Sequence, residues 1–429
     1  MTAVFAILIL LIAATPALAI VSGTLPAGYL LAVAALAIGL IALTSPASEL
    51  RRVASLWKPI APIAILPWIW MLAQLAPVPA QLAHSAWTGA SAALGRPVAG
   101  TVTVDTGATL LGLCQYSLGL AVAIIATAVA LDQRRAKTIV FVLMTAAALT
   151  AAVLIGLDVG IWFLNDLDIS AQRPQMSAVA VLGLVVSCAA VIRIHRRLWR
   201  RGAGISTMIA AGASVAAIAI CLSAVAIDGD AVLLFAAISG VLVLVCVEVI
   251  QRFRLGRWGR AGIAAAAALG VLSFLAPIQT HTATDLTLAM SSQPHASIAA
   301  AERMLSDAKW VGTGVGTFAR LLPIYRDVDD AMTQVAPTAA ASIAIEMGRP
   351  MLWLLVISAL IGALSLVRRA LALGREYIYA AAGAACIVSG LIMSFVNVGI
   401  LGLAAALLAS GICGVAVAQS RSWSVESRY

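Results

Sequence analysis

The sequence predicts an all-α fold, a polytopic transmembrane helical bundle of about 12 helices with one large periplasmic loop. The 429 residues are 62% hydrophobic and only 10% charged, with a mean hydropathy of +1.05. Soluble domains carry about 25% charged residues. Apolar runs of about 17 to 25 residues, long enough to cross a bilayer, recur along the chain. Basic residues collect in alternate connectors, which predicts a multi-pass topology.

The predicted spans follow one another with short connectors except at one place. They are residues 3–22, 26–44, 60–77, 108–131, 138–162, 176–192, 205–227, 231–250, 261–278, 350–366, 377–397 and 399–419. The first ends in Ala17-Leu18-Ala19, which is typical of a signal-peptidase site. Because no Lys or Arg precedes its apolar stretch, we interpret it as a retained helix.

The basic residues are divided unequally between the two predicted sides of the membrane. Of the 27 Lys and Arg, seven fall on the outer side: Arg96, Arg173, Arg303, Lys309, Arg320, Arg326 and Arg349. The other 20 lie in short connectors on the opposite side, such as the run from Arg193 to Arg201. Short basic loops stay in the cytoplasm, so both termini are expected there. The net charge of +9 is therefore a topology signal and does not indicate nucleic-acid binding.

Three regions follow from this topology. Residues 1–278 hold helices 1–9 with outer loops at 78–107 and 163–175; residues 279–349 form the large periplasmic loop; residues 350–429 hold helices 10–12 and a short cytoplasmic tail. Within the loops, the pattern predicts a strand-like segment at 101–104, a short helix at 297–307 and a flexible glycine turn at 312–316.

Several kinds of site are excluded by their residues. The six cysteines lie singly in apolar segments, which favours small buried packing residues over a metal site or a disulfide framework. Gly312-Thr313-Gly314-Val315-Gly316 does not have dinucleotide-binding spacing, so a tight bend is favoured. A serine nucleophile elbow, a zinc-protease motif and a Walker loop are all missing from the sequence. No metal or cofactor is predicted.

The outward arginines are the main candidates for chemistry. Arg320 and Arg326 flank Pro323 and Tyr325 just after the glycine turn. A guanidinium group suits phosphate and keeps its charge, so these residues could hold a lipid-linked diphosphate as it departs. The alternative is that they are solvated charges paired with Asp327, Asp329 and Asp330.

Three carboxylates lie near predicted span ends. Glu346 is either a functional group near membrane depth or simply a partner of a helix dipole. Asp158 is expected at the interface, and Glu248 is expected to reach Arg252. We interpret the last two as structural.

The large loop resembles the signature loop of the O-antigen ligase/polymerase superfamily. The matching residues are Gly312 to Phe318, then Tyr325-Arg326, then Glu346-Met347-Gly348-Arg349-Pro350 at the start of a span. The Pro-rich segment Leu75 to Pro79 with Trp87 and Val102 to Thr106, and Asp132 to Ala136 after span four, extend the likeness. That family consists of bacterial inner-membrane glycosyltransferases of the C-type fold with about a dozen helices.

The resemblance implies an activity and a set of site residues. A member would move or polymerise a glycan from polyprenyl diphosphate to an acceptor hydroxyl on the periplasmic face, in surface polysaccharide biosynthesis such as lipopolysaccharide or exopolysaccharide assembly. Arg326, Arg320 and Arg173 would hold the diphosphate, and Glu346 would orient an acceptor or an arginine. Gly312, Gly314 and Gly316 would admit close backbone approach, and Tyr325 and Arg349 would contact the substrate. No nucleotide cofactor is needed. Other polysaccharide assembly proteins are expected partners.

The chain also departs from the family pattern. Pro337-Thr338 stands where a His-Asn pair is usual, Gln172-Arg173-Pro174 replaces an Asn-Arg-Asn box, and Gly229-Asp230 replaces a Ser-Arg pair. General-base assistance is worth roughly 10²–10⁴ in rate, and His281 or His295 could replace the missing histidine. The alternatives are therefore an active transferase, a non-catalytic scaffold of a polysaccharide machine, and a transporter, which the absence of repeated halves disfavours.

Overall fold

The computed structural model describes residues 1–21, 23–79, 83–160, 172–201, 204–253, 285–291, 295–326, 337–372 and 377–420. These residues are almost entirely helical, and the described part of the chain contains no strand. The strand-like segment predicted at 101–104 contributes only one isolated antiparallel bridge, between Pro77 and Thr101.

Seventeen α-helices follow in chain order through the described residues. They are α1 Thr2–Ala13, α2 Thr15–Ile20, α3 Thr24–Thr44, α4 Ala47–Trp57, α5 Ala61–Leu75, α6 Ser85–Leu94, α7 Thr106–Val129, α8 Gln133–Asp158, α9 Arg173–Arg201, α10 Ile205–Ile227, α11 Ala231–Phe253, α12 His295–Asp307, α13 Phe318–Tyr325, α14 Ala339–Glu346, α15 Arg349–Ala372, α16 Tyr377–Ser394 and α17 Leu403–Gln419.

Nine of the described helical segments are long and apolar enough to cross a membrane, so the chain is an all-α multi-pass membrane protein. α4 and α5 would together make a tenth span, but they meet at a 75° bend, and α17 has only 17 residues. The predicted span 261–278 lies outside the described residues. The residues of α4 lie between two predicted spans, and no separate helix was predicted there.

The core of the bundle surrounds α9. This helix packs against α8, α10, α11, α16 and α17, and its residues Met176 to Val186 are largely buried. Small residues let the helices approach closely: a Cβ on Gly183 would lie 2.5 Å from the Cβ of Ala147, and one on Gly414 would lie 2.5 Å from the carbonyl oxygen of Ala123. Helices in lipid associate through such close packing.

The two ends of the bundle carry different residues. At one end, which we call the basic end, Arg196 of α9 pairs with Glu248 of α11, and Gln251 donates to the carbonyl oxygen of Ala370 at 2.9 Å. At the other, the loop end, Gln175 of α9 donates to the carbonyl oxygen of Leu18 at 3.1 Å, and Ser177 donates to Asp228 at 2.8 Å. The predicted division between basic connectors and polar loops is therefore matched by contacts at opposite ends of the same helices.

Candidate functional site

The large loop folds as a helical platform on the loop end of the bundle. α12, α13 and α14 enclose their own apolar core, which includes Met304, Leu321 and Ile345. The short helix predicted at 297–307 is present as α12. α13 buries Phe318, Leu321 and Leu322, while Arg320, Pro323 and Ile324 are exposed on its other face.

The glycine turn Gly312–Gly316 is a tight bend, as the sequence predicts. All three glycines have positive φ values between 78° and 106°, a region that residues with a Cβ rarely adopt. Their close approach is to the chain's own atoms. A Cβ on Gly312 would lie 2.2 Å from the carbonyl oxygen of Glu346, and one on Gly314 would lie 2.0 Å from Thr103 Oγ1.

Backbone hydrogen bonds hold this turn against α14. The N–H of Thr313 donates to the carbonyl oxygen of Ile345 at 3.0 Å, and the N–H of Gly314 donates to that of Glu346 at 2.9 Å. Gly348 completes the contact, since a Cβ there would lie 1.9 Å from the carbonyl oxygen of Trp310. The N–H groups of the turn therefore serve the fold of the loop, and they are not directed at a ligand.

Two earlier segments of the chain lock the turn in place. The buried Gln74 of α5 donates through Nε2 to the carbonyl oxygens of Val311 at 3.0 Å and Glu346 at 2.8 Å. Thr109 of α7 donates to the carbonyl oxygen of Val315 at 3.1 Å. Sequence reasoning missed both residues. The signal in each case is a polar side chain within an otherwise apolar helix.

Glu346 is buried beneath the turn, with only 7% of its surface exposed. Its Oε1 accepts the N–H of Phe318 at 3.1 Å, and the carboxylate also accepts from the N–H of Gly316 and the hydroxyl of Ser342. Burial raises the pKa of Glu346 to about 7, against the opposing effect of these three hydrogen bonds. The carboxylate thus caps the N-terminus of α13 and positions the helix that carries Arg320.

Three of the four predicted arginines are held by separate carboxylates. The guanidinium of Arg320 lies 3.3 Å from Asp105, that of Arg349 lies 2.7 Å from Asp285, and that of Arg173 lies 2.5 Å from Asp158. Asp105 has a second role, because its other oxygen accepts the N–H of Ala108 and caps α7. The sequence expectation of pairing with Asp327, Asp329 and Asp330 falls on residues outside the described ones.

Arg320 lies in the first turn of α13, and Arg326 directly follows the last residue of that helix. Arg320 is 71% exposed, and Arg326 is half-buried directly after α13. Arg303 of α12 donates to the carbonyl oxygen of Tyr325 at 2.9 Å, which adds a second guanidinium beside Arg326 at the C-terminus of α13. Burial, followed by a hydrogen bond to Asp307, raises the pKa of Tyr325. α13 therefore carries Arg320 and Tyr325, Arg326 follows it directly, and Arg303 of α12 contacts its C-terminal end.

Arg173 and Arg349 lie elsewhere at the loop end. Arg173 begins α9 and belongs to a cluster with Asp158, Ser177 and Asp228. Burial raises the pKa of Asp228, and the Ser177 hydroxyl opposes that shift. Arg349 begins α15, where Asp285 holds it. Neither contact joins these two arginines to α13.

Where the family resemblance leads one to expect a His-Asn pair, Thr338 has a structural role. It is fully buried, its side chain accepts the N–H of Ala341 at 3.0 Å as the N-cap of α14, and its hydroxyl donates to the carbonyl oxygen of Thr287. His281 lies outside the described residues. The described residues contain no group of three or more His, Cys, Asp or Glu that could hold a metal ion.

No protein-family model matches this chain, and no curated protein matches its sequence. The functional assignment therefore depends on the geometry of the loop end and on the resemblance of the loop motif.

Proposed function

We propose that this protein binds a polyprenyl-diphosphate-linked glycan at its loop end and transfers the glycan to an acceptor hydroxyl, as a divergent member of the O-antigen ligase-like superfamily. The proposal places the loop end in the periplasm and the protein in a bacterial inner membrane, with both termini in the cytoplasm. The observation that carries it is the exposed face of α13, where Arg320 adjoins Pro323 and Ile324, with Arg326 at its end.

This face combines the two properties that a lipid diphosphate requires. Arg320 can grip phosphate oxygens through two parallel hydrogen bonds. Ile324 is 74% exposed and Trp310, just before the glycine turn, is 69% exposed. Exposed indole rings are typical of membrane–water interfaces. An isoprenoid chain in the outer leaflet could therefore lie beside α13 while its head group contacts the guanidinium groups.

The reaction needs few groups beyond these. The acceptor oxygen forms a bond to the anomeric carbon, and the bond from that carbon to the diphosphate oxygen breaks. Polyprenyl diphosphate leaves with the electron pair, and Arg320 and Arg326 stabilise its added charge. The hydroxyl proton passes to Asp105, which lies beside Arg320 and is partly exposed. Glu346 acts indirectly here, because it fixes the N-terminus of α13.

Binding and transfer can be tested separately. Undecaprenyl diphosphate is titrated into the purified protein in mixed micelles, and we expect Arg320→Gln and Arg326→Gln to weaken binding at least tenfold. Arg96→Gln removes the same charge from an exposed position on the same side of the protein, and it should bind as the unmodified chain does. Equal binding by all four proteins would refute the proposed site.

Asp105→Asn separates the two steps. It removes the carboxylate that competes for Arg320, and Asn remains a good N-cap for α7. We expect tighter undecaprenyl diphosphate binding together with a loss of glycan transfer of at least 100-fold. Transfer at the unmodified rate would exclude Asp105 as the proton acceptor.

A non-catalytic scaffold is the second candidate, and the buried Thr338 favours it. The resemblance implies histidine at the position of Pro337 and asparagine at that of Thr338. Proline has no ionisable group, and Thr338 serves as the N-cap of α14. A scaffold would bind the lipid diphosphate through the same arginines and show no transfer in the unmodified chain. Measured turnover of a radiolabelled lipid-linked glycan would exclude it.

A further inference from the structure

A cavity of about 350 Å³ lies between α3, α4, α5 and α7, away from the loop end. Its lining side chains are apolar, among them Ile41, Val53, Ala64 and Ile124. Trp57 also lines it, but the indole N–H donates to Thr127 Oγ1 at 3.3 Å, so the polar edge of the ring is satisfied within the protein. A volume of this size is within the range of ligand-binding cavities.

The cavity is open between α3 and α5, on the apolar surface of the bundle. α3 and α5 each pack against α7, and between them Ile38 and Ile65 are 36% and 44% exposed. α4, which meets α5 at a 75° bend, also lines the cavity. An apolar space with such an opening fits an acyl chain.

α4 has the pattern of a helix that lies in the membrane interface. Leu50, Val53, Ala54 and Trp57 recur at helical spacing and line the cavity. Arg51 and Lys58 stand seven residues apart, which is two helical turns, so they share one edge of this helix beside Ala54. Both are exposed, and neither forms an ion pair with a carboxylate of the described residues.

We infer that this cavity is a binding site for an anionic glycerophospholipid, with one acyl chain between α3 and α5 and the phosphate on Arg51 and Lys58. Charge complementarity selects the occupant. The chain enters an apolar space, while the only charged side chains along that edge of α4 are cationic. Juxtamembrane basic residues attract anionic head groups in the same way. This site is distinct from the proposed glycan-lipid site, which lies at the opposite end of the bundle.

Native mass spectrometry of the full-length protein from mixed micelles tests the inference. Dioleoylphosphatidylglycerol and dioleoylphosphatidylcholine are supplied at equal concentration. We expect one phosphatidylglycerol to be retained at least tenfold more often than phosphatidylcholine. Equal retention of the two lipids would overturn the inference.

Two pairs of variants locate the site. Ala54→Phe fills the cavity and should abolish the retained lipid, whereas Ser48→Phe adds the same ring to the opposite face of α4 and should not. Arg51→Gln combined with Lys58→Gln should lower phosphatidylglycerol retention about tenfold. Arg52→Gln combined with Arg134→Gln removes equal charge elsewhere at this end and should leave retention unchanged. The two charge variants alter exposed side chains, so they test the site even if Ala54→Phe does not fold.

The identity of the lipid is tested by competition. Undecaprenyl phosphate at a concentration equal to that of phosphatidylglycerol should not displace it. Displacement, or loss of retention in the Arg52 and Arg134 control, would overturn the inference. Neither result depends on the arginines of α13, so failure here is distinguishable from failure of the proposed transferase.

Discussion

At the basic end several groups share one carboxylate, whereas at the loop end each paired arginine has a carboxylate of its own. Glu248 accepts from Arg196 at 2.9 Å and from the hydroxyl of Tyr377, and Arg196 stacks 4.6 Å above the Tyr377 ring. At the loop end, Asp105, Asp158 and Asp285 each hold a single guanidinium group.

The numbers of acidic and basic residues on the two predicted sides of the membrane also differ over the whole chain. In the predicted topology, five of the 18 acidic residues share a side of the membrane with the 20 basic residues of the short connectors: Glu49, Asp132, Glu248, Glu376 and Glu426. The other 13 accompany the seven basic residues of the loop side. Carboxylates are therefore scarcer relative to basic residues at the basic end, whereas an anion that binds Arg320, Arg173 or Arg349 at the loop end must compete with the carboxylate of that arginine.

The two ends also differ in what holds them together. The basic end joins helices through charged and aromatic side chains, whereas the loop end adds to its side-chain contacts close backbone contacts that only glycine permits. The following variants separate these two modes of stabilisation.

The largest effect is expected for Gly348→Ala. The new Cβ would overlap the carbonyl oxygen of Trp310 at 1.9 Å, and φ is 90°. Overpacking and the unfavourable φ together should cost about 2–4 kcal/mol. Gly95→Ala is the matched control, since its φ of 62° is also positive but no atom lies within 4 Å. It should cost about 1 kcal/mol. Thermal unfolding in detergent compares the two, and equal losses would show that the close contact is unimportant.

The second-largest loss of stability, about 2 kcal/mol, is expected for Glu346→Ala, because this change leaves the N–H groups of Gly316 and Phe318 without their acceptor. Limited proteolysis within 285–349 reports the loop directly. If the loop of this variant resists protease as well as the unmodified loop does, Glu346 is not what holds α13.

The same residue gives the loop a pH dependence. Folding raises the pKa of Glu346 from its ordinary value of 4.5 to about 7, so the folded loop binds this proton more tightly than the unfolded one. Loop stability should therefore fall as the pH rises from about 4.5 to about 7 and stay level above that. The loss is at most about 3 kcal/mol. Glu346→Gln, which cannot ionise, should remove this contribution. An unchanged slope in the Gln variant would assign the effect to other groups.

At the basic end, Glu248→Gln should cost about 1 kcal/mol, since the amide can still accept one hydrogen bond but no longer neutralises Arg196. The exposed pair Arg349–Asp285 provides the comparison, and Arg349→Gln should change stability by less than about 0.5 kcal/mol. Thermal unfolding of both variants at low and high salt checks the order. The reverse order would mean that ion pairs, and not backbone contacts, hold the loop end.

Much of the architecture was accessible from the sequence because hydropathy and charge act over whole segments. Membrane-length apolar runs predicted the nine described spans, and α12 and the bend at 312–316 were predicted from local composition. The prediction that Glu248 reaches Arg252 was wrong about the partner, since a helix neighbour distant in sequence, Arg196, occupies it.

The site was less accessible, because its contacts join distant residues. Glycine spacing indicated a bend, but it could not show that the bend closes against Glu346 and Thr103. Arginine positions indicated anion binding, but their partners Asp105, Asp158 and Asp285 depend on how the helices pack. α4 was not predicted, because a segment of 11 residues that includes several polar side chains is too short and too polar to be a membrane span.

The double hydrogen bond of Gln74 bears on how the protein is made. Its two acceptors follow 237 and 272 residues later in the chain. Ribosomes synthesise roughly 5–20 residues per second. The interval between the synthesis of Gln74 and that of its acceptors is therefore on the order of 15 to 50 seconds. The final contact between α5 and the loop can therefore form only after α14 has been synthesised.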